Sequence, residues 1–173
     1  MTSVPIIVLN VFFVDLKSLK FVDMIKFIPF ILVLTLVFSS CSKKTSQSEI
    51  DDQTIQNYLT TKNLTAVKDP SGLYYIITLA GTGVSPTSSS TVEVKYKGSL
   101  VNGTIFDQTA TDKTFTYALN ALIKGWQIGI PLMKKGGKAT FFIPSELGYG
   151  SVTTGPIPAN SVLIFDIELI DVK

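Results

Sequence analysis

Three residue types that are common in enzyme sites, histidine, cysteine and arginine, are absent or nearly absent from this sequence. Its 173 residues include no histidine, which removes the usual acid–base group at neutral pH, the commonest metal ligand and every histidine-based triad. The single cysteine, Cys41, excludes an internal disulfide and a thiolate cluster. All fifteen basic residues are lysines, so bidentate guanidinium recognition of phosphate is excluded as well. The net charge of +2 is small and spread out, which argues against a nucleic-acid partner.

The remaining candidates for a functional site are aromatic residues and one short helical stretch, residues 120–130 (NALIKGWQIGI). Asn120 is predicted to cap a helix, and Pro131 is predicted to end it or kink it. One apolar stripe at helical spacing is formed by Leu122, Ile123, Trp126 and Ile130. A single short helix cannot bury itself, so we expect the surrounding strands to wrap it, with the only tryptophan facing the sheet.

The other C-terminal segments have strand patterns separated by turns. The predicted strands are residues 73–80, 91–97, 104–108, 114–117, 138–143 and 161–172. Asn102-Gly103 predicts a tight hairpin between the second and third of them. Together these patterns predict an α+β domain in which a curled antiparallel β-sheet wraps around one short α-helix.

The N-terminal residues, 1–40, predict an export signal. An apolar run, residues 27–38, follows Lys26 and ends in Ser39-Ser40-Cys41, which is the layout of a secretory signal. At roughly twelve residues, the run is shorter than the roughly twenty needed to span a bilayer as a helix. Its end, VFSSC, resembles a bacterial lipobox, which implies cleavage before Cys41 and acylation of that cysteine. The alternative for Cys41 is a free buried thiol, which its polar flanks disfavour.

Two further N-terminal segments are predicted around this signal. Met24 begins a complete signal by itself, so we expect residues 1–23 to come from an upstream start and to be absent from the natural protein; the alternative is a transmembrane or hairpin segment. Residues 41–48 predict a flexible tether. Residues 49–64 predict a loosely amphipathic spacer helix with acidic residues near its start, and a dimerisation helix is the sharper alternative.

Seven motifs of the C-terminal domain occur together, in order and at matching spacing. They are residues 72–75 with 81–83 (GLYY and GTG), 94–100 (VKYKGSL), 102–107 (NGTIFD), 122–126 (LIKGW), 147–150 (LGYG), 157–158 (IP) and 163–169 (LIFDIEL). Each motif alone is weak, but seven in register are specific. Over residues 65–173 the chain resembles the FKBP-type peptidyl-prolyl cis-trans isomerases.

The resemblance implies an aromatic pocket that receives a proline ring. Its walls would be Tyr96, Phe106, Phe115 and Phe165, with Trp126 as the floor. Leu122 and Ile123 would line one edge, with the Ile123 amide offered to a substrate carbonyl, and Ile157 would close the rim. Asp107 and the Tyr149 hydroxyl would be the polar groups, with Asp107 positioning the substrate electrostatically. This chemistry needs no metal and no cofactor.

The function implied is isomerisation of X–Pro bonds in proline-containing segments of folding proteins. We expect a lipid-anchored monomer of the bacterial cell envelope. We expect it to face the periplasm, because Ser42-Lys43-Lys44 offers no acidic signal for surface export. One alternative is a binding module that holds proline-containing clients with little turnover; the presence of Asp107 and Tyr149 argues against it. The other is a structural lipoprotein, which would have no reason to keep an aromatic pocket.

Overall fold

The computed structural model describes residues 45–173. The predicted signal segment, the predicted lipidation site Cys41 and the first half of the predicted tether lie outside the described residues. Within the described range, no helix is both long and apolar enough to cross a bilayer.

The described part of the chain contains two α-helices and seven strands. The helices are α1 (Gln47–Thr61) and α2 (Lys124–Gly129). The strands are β1 (Val67–Lys68), β2 (Tyr74–Leu79), β3 (Thr91–Leu100), β4 (Ile105–Gln108), β5 (Phe115–Ala118), β6 (Lys138–Ile143) and β7 (Leu163–Val172). Short 3-10 helices cover Leu119–Ala121, Ile130–Leu132 and Ser145–Leu147. All six predicted strands are present, and the two-residue β1 is an addition.

All strand pairs of the sheet are antiparallel, which confirms the predicted sheet type. The strand order is β1-β2-β6-β7-β3-β4, and β5 pairs with the other half of β3. Strands β3 and β7 pair along their whole length, from Leu100 opposite Leu163 to Val92 opposite Val172. The sheet is therefore built around its two longest strands.

The hairpin predicted at Asn102-Gly103 is confirmed. Leu100 N–H donates to the Thr104 carbonyl at 2.9 Å, and Gly103 N–H donates to the Leu100 carbonyl at the same distance. Gly103 has a φ of +88°, a backbone conformation that glycine adopts without steric cost. The turn reverses the chain, so that β4 runs antiparallel beside β3.

The main core lies between the concave face of the sheet and helix α2. Along β3, Val92 and Val94 are fully buried and Tyr96 is half-buried, so the predicted alternation is confirmed. The fully buried members from the other elements are Leu73, Leu119, Ile130, Phe141, Ile143, Leu163 and Leu169. This core fixes the position of α2 against the sheet.

Helix α2 is shorter than the sequence predicted, and the prediction that Asn120 caps it is wrong. Asn120 lies within the 3-10 helix Leu119–Ala121, and α2 begins at Lys124 after Ile123, which makes no side-chain cap. Leu122 and Ile123 have extended ψ angles of 172° and 151°. A capping residue at Asn120 would require both to be helical. The predicted C-terminal limit is confirmed, because α2 ends at Gly129, before Pro131.

Helix α1 begins earlier and ends earlier than predicted. Ser46 caps it: the Ser46 hydroxyl accepts from the Glu49 N–H, and the Glu49 carboxylate accepts from the Ser46 N–H, which is a complete capping box. Residues 47–48 therefore belong to the helix and not to the tether, and the helix stops at Thr61 rather than at 64. Ile50 on this helix and Leu64 beyond its end are both exposed, so neither contributes to its buried apolar side.

Helix α1 packs on the outer face of the sheet. Its apolar side joins an outer-face cluster made of Ile55, Leu59, Tyr74, Phe142, Val162 and Ile164. Because α1 shields the outer face here, residues 163–165 are all buried, whereas buried and partly exposed residues alternate over the next part of β7. Both faces of the sheet are thus covered at this point.

Gly125 lets α2 approach β6 closely. A Cβ added at Gly125 would lie 2.5 Å from Cγ2 of Ile143, whose side chain is fully buried. We therefore expect Gly125→Ala to lower the free energy of unfolding by about 1–3 kcal/mol through overpacking, although alanine ordinarily favours a helix over glycine. Urea denaturation followed by circular dichroism measures this, with the exposed Lys124→Ala as the control. Equal midpoints for the two variants would contradict the packing.

Candidate active site

A cavity of about 350 Å³ opens between α2, the concave face of the sheet and the loop after β6. All ten residues singled out from the sequence line it: Tyr96, Phe106, Asp107, Phe115, Leu122, Ile123, Trp126, Tyr149, Ile157 and Phe165. The structure therefore brings the whole predicted set together, while the role of each residue stays a prediction.

The floor and walls of the cavity are aromatic rings packed edge to face. The Trp126 ring lies 5.2 Å, centroid to centroid, from both Tyr96 and Phe165, at interplanar angles of 81° and 89°. Phe106 lies 5.4 Å from Phe165, and Phe115 lies 5.6 Å from Tyr96, both nearly perpendicular. Such T-shaped pairs are the favourable geometry for aromatic rings. The rings consequently hold one another in fixed orientations around an apolar hollow.

Gly98 on β3 makes this ring packing possible. A Cβ at this position would lie 2.5 Å from the Phe106 ring and 2.8 Å from the Phe165 ring. Gly98 is paired with Asp107 on β4 and with Phe165 on β7. Because Gly98 has no side chain, the Phe106 and Phe165 rings can pack against each other directly over its backbone.

One edge of the cavity is the turn that leads into α2. The Gln127 side-chain amide donates to the Leu122 carbonyl at 2.7 Å and to the Asn120 carbonyl at 3.3 Å, which holds the turn in place. Leu122 and Ile123 are half-buried there and face the cavity. Among the described residues, none accepts a hydrogen bond from the Ile123 N–H. This donor is therefore available at the cavity edge.

The polar edge of the cavity is formed by Asp107 and two tyrosines. The Tyr96 hydroxyl donates to Oδ2 of Asp107 at 2.5 Å. Asp107 is exposed at the end of β4, and Tyr149 is 37% exposed on the loop after β6. A carboxylate and a hydroxyl thus face an otherwise apolar cavity from two different elements.

The rim contains three residues that the sequence analysis missed: Thr154, Gly155 and Pro156. Thr154 and Ile157 pair with each other through two backbone hydrogen bonds of 2.9 and 3.0 Å, and Gly155 has a φ of +54°. The Gly155-Pro156 dipeptide is a turn signal that could have indicated this feature. The turn presents the buried Ile157 side chain to the cavity.

Comparison with known proteins identifies the family of this domain. Residues 83–170, more than half of the chain, match the family model of the FKBP-type peptidyl-prolyl cis-trans isomerase. The chain belongs to this family. The FKBP-type resemblance expected from the seven motifs is thereby confirmed.

Curated FKBP-type relatives share the domain but are longer. The chain is 51% identical over 108 residues to FkpA of Buchnera aphidicola, a match covering 61% of this chain and 43% of the relative. It is 45% identical over 104 residues to FkpA of Escherichia coli, covering 60% of this chain and 38% of the relative. The chain therefore spans about two fifths of the length of these relatives.

Solved structures of the FKBP-type family share the fold. The crystal structure of Escherichia coli FkpA matches with a TM-score of 0.66 and 30% identity, covering 90% of this chain and 74% of that one. A peptidyl-prolyl cis-trans isomerase from Pseudomonas syringae matches with a TM-score of 0.63 and 28% identity, covering 75% and 98%. The predicted fold class is thereby confirmed.

The two tyrosines of this FKBP-type pocket keep their protons well above neutral pH. Burial raises the pKa of Tyr96, and its hydrogen bond to Asp107 and the negative charge of that carboxylate raise it further. Burial, followed by the charge of Asp107, also raises the pKa of Tyr149. Both phenols are therefore hydrogen-bond donors across the physiological range. Among the described residues there is no group of three carboxylate or cysteine side chains that could hold a metal ion.

Replacing Asp107 by asparagine is expected to lower the pKa of both Tyr96 and Tyr149, because the nearby negative charge disappears while burial remains. Both pKa values are raised in the folded protein, so the associated stability is present below the ordinary tyrosine pKa of about 10 and is lost as the pH rises through the folded-state values. An NMR titration of the ¹³Cζ resonance of Tyr149, assigned by its loss in Tyr149→Phe, measures the shift. An unchanged Tyr149 pKa in the Asp107→Asn variant would contradict the coupling.

Proposed function

We propose that this protein is a peptidyl-prolyl cis-trans isomerase acting on proline-containing segments of folding proteins. The observation that carries the proposal is the convergence of aromatic rings, one carboxylate and one free backbone N–H on a single cavity. The family membership of residues 83–170 supports the same activity. Uncatalysed prolyl isomerisation takes tens of seconds and limits the folding of many proteins, so an enzyme for it has clear substrates.

The reaction requires no covalent chemistry. The cis and trans forms of an X–Pro bond differ by only about 0.5–1 kcal/mol, but rotation between them crosses a barrier of about 18–20 kcal/mol. The barrier arises because amide resonance keeps the bond planar. An enzyme therefore has to bind the twisted amide more tightly than either planar form, which is compatible with a sequence that contains no histidine.

The cavity suits this task. In the proposed mechanism the proline ring rests on Trp126 between the walls of Tyr96 and Phe165, while the preceding part of the peptide rotates. The apolar surroundings disfavour the planar amide, which is the more polar form. The Ile123 N–H and the Tyr149 hydroxyl donate to peptide carbonyls, and Asp107 acts electrostatically on the twisted bond.

The activity is tested by following cis-trans isomerisation of a short X–Pro peptide with the full chain in mild detergent. We expect clear acceleration by the parent protein. Asp107→Ala is expected to reduce kcat/KM by about ten- to hundredfold, since a preorganised polar group of the site is lost. Asp166→Ala is the matched control, because this half-exposed carboxylate on β7 pairs with Lys97 outside the cavity. We expect it to retain the parent rate.

No acceleration by the folded parent protein would contradict the enzyme. Peptide affinity would then be measured, and binding without turnover would indicate a module that holds proline-containing clients. Equal losses for Asp107→Ala and Asp166→Ala would contradict the pocket assignment, because the effect would then not depend on the cavity.

We further propose that the protein is a monomer anchored in the bacterial cell envelope, facing the periplasm, through a lipid on Cys41. The proposed layout is a signal over residues 1–40, a short tether after it and the isomerase domain over residues 65–173. The basic residue, apolar run and VFSSC end of residues 26–41 support export and acylation. The apolar side of α1 is buried against the outer face of the sheet of the same chain, which supports the monomer over a dimer formed through α1.

The anchor is tested by metabolic labelling with a radioactive fatty acid in a bacterial host. Cys41 is the only cysteine, so Cys41→Ser is expected to abolish labelling completely and to release the protein from the membrane fraction. Ser40→Ala, which leaves a small residue before the cleavage point, is expected to keep the label. A parent protein without label would contradict the anchor.

A further inference from the structure

Asp51 is a buried carboxylate that lies outside the cavity and outside the residues matched by the family model. It sits on α1 with 1% of its surface exposed, although its neighbours in the first turns of the helix are solvated. A buried charge is costly unless hydrogen bonds compensate its desolvation. Its burial therefore needs a structural reason, and its contacts provide one.

Both oxygens of Asp51 are hydrogen-bonded. Oδ2 accepts from the backbone N–H of Ser145 at 2.8 Å and from the Ser145 hydroxyl at 2.6 Å. Oδ1 accepts from the Gln47 side-chain amide at 2.7 Å, one helical turn earlier. Ser145 is itself buried, with 1% exposed. The carboxylate thus fixes both the backbone and the side chain of one residue that is 94 positions away in the sequence.

Ser145 in turn holds the backbone on both sides of Tyr149. Its carbonyl oxygen accepts from the N–H of Gly148 at 2.9 Å and from the N–H of Gly150 at 2.8 Å. Gly150 has a φ of +60°, and its carbonyl accepts from the Asn160 N–H at 2.8 Å. The peptide that carries Tyr149 is therefore tied at both ends to the residue that Asp51 fixes.

We propose that Asp51 is a positioning residue for Tyr149, so that α1 is a working part of the catalytic unit and not only a spacer. Asp51 fixes Ser145, and Ser145 fixes the turn that places the Tyr149 hydroxyl at the cavity edge. This inference rests on the proposed isomerase function, in which Tyr149 contacts the substrate. It extends the functional unit beyond the residues that line the cavity.

Asp52, the next residue, provides a matched comparison within the same helix. Its carboxylate accepts from the Tyr74 hydroxyl at 2.7 Å and pairs with Lys68, so it ties α1 to β1 and β2. It makes none of the bonds to Ser145. Removing Asp52 therefore removes contacts of α1 with β1 and β2 and leaves the bonds between Asp51 and Ser145 in place.

The experiment compares Asp51→Ala, Asp51→Asn and Asp52→Ala in the full chain, using the X–Pro peptide assay. Asp51→Ala is expected to lower kcat/KM by about five- to tenfold, because a catalytic group displaced by a fraction of an ångström loses its alignment. Asparagine keeps an acceptor oxygen for Ser145, so Asp51→Asn is expected to restore activity to within about twofold of the parent. Asp52→Ala is expected to match the parent.

A double-mutant cycle separates positioning from general destabilisation. In a Tyr149→Ala background, Asp51→Ala is expected to lower kcat/KM by less than about twofold, because the group that Asp51 positions is already absent. A full additional loss in that background would overturn the proposal. So would an Asp51→Ala variant with parent activity, or equal losses in Asp51→Ala and Asp52→Ala.

A readout independent of activity distinguishes this inference from failure of the proposed function. Hydrogen exchange of the Gly148 and Gly150 amides is expected to accelerate about tenfold in Asp51→Ala and to stay at the parent rate in Asp52→Ala, because exchange reports local opening. Unchanged exchange in Asp51→Ala would overturn the positioning even if the parent is inactive. If Asp51→Ala does not fold, Ser145→Ala removes one of the two bonds and is expected to accelerate the same amides about two- to threefold.

Discussion

The contact of Trp126 with the rings of Tyr96 and Phe165 is the interaction on which the rest of the domain depends. Helix α2 has only six residues, and isolated helices of this length are unstable in water. Its place is therefore set by burial of the indole against the concave face of the sheet. The indole N–H is buried without a hydrogen-bond partner among the described residues, a cost of about 1–3 kcal/mol that ring packing has to offset. Because the same rings line the cavity, the core and the site are one packing arrangement.

The sheet has an apolar layer on each face. Phe165 of β7 lies on the concave face and lines the cavity, while the preceding residue, Ile164, lies on the outer face and packs against α1. Neighbouring side chains of one strand point to opposite faces, so a change in β7 register would exchange the two layers. The outer layer also brings Asp51 to Ser145, next to the loop of the cavity. The contact between Asp51 and Ser145 therefore links helix α1 to the loop that carries Tyr149 at the cavity edge.

The electrostatics of the cavity suit orientation of a peptide better than proton transfer. Its only carboxylate, Asp107, lies beside two phenols whose pKa values it helps to raise. None of these raised values brings a proton exchange into the physiological range. A site of this kind offers fixed donors, one fixed negative charge and an apolar floor. These are the means by which a protein stabilises one conformation of a neutral amide over another.

The sequence by itself determined the strands of the sheet, the family and ten of the residues that line the cavity. Period-two alternation and the Asn102-Gly103 turn are local patterns that could be recognised along the chain, and the ten cavity residues were assigned because seven motifs in register resemble the FKBP-type family. The start of α2 could not be recognised in this way. The Gln127 side chain donates to the Asn120 and Leu122 carbonyls, and Leu122 and Ile123 are extended, so this non-local contact overrides the capping preference of Asn120. The docking of α1 was decided only by tertiary structure as well. A carboxylate near a helix start ordinarily faces water, and the partner that buries Asp51 is far away in sequence, where no local pattern can indicate it.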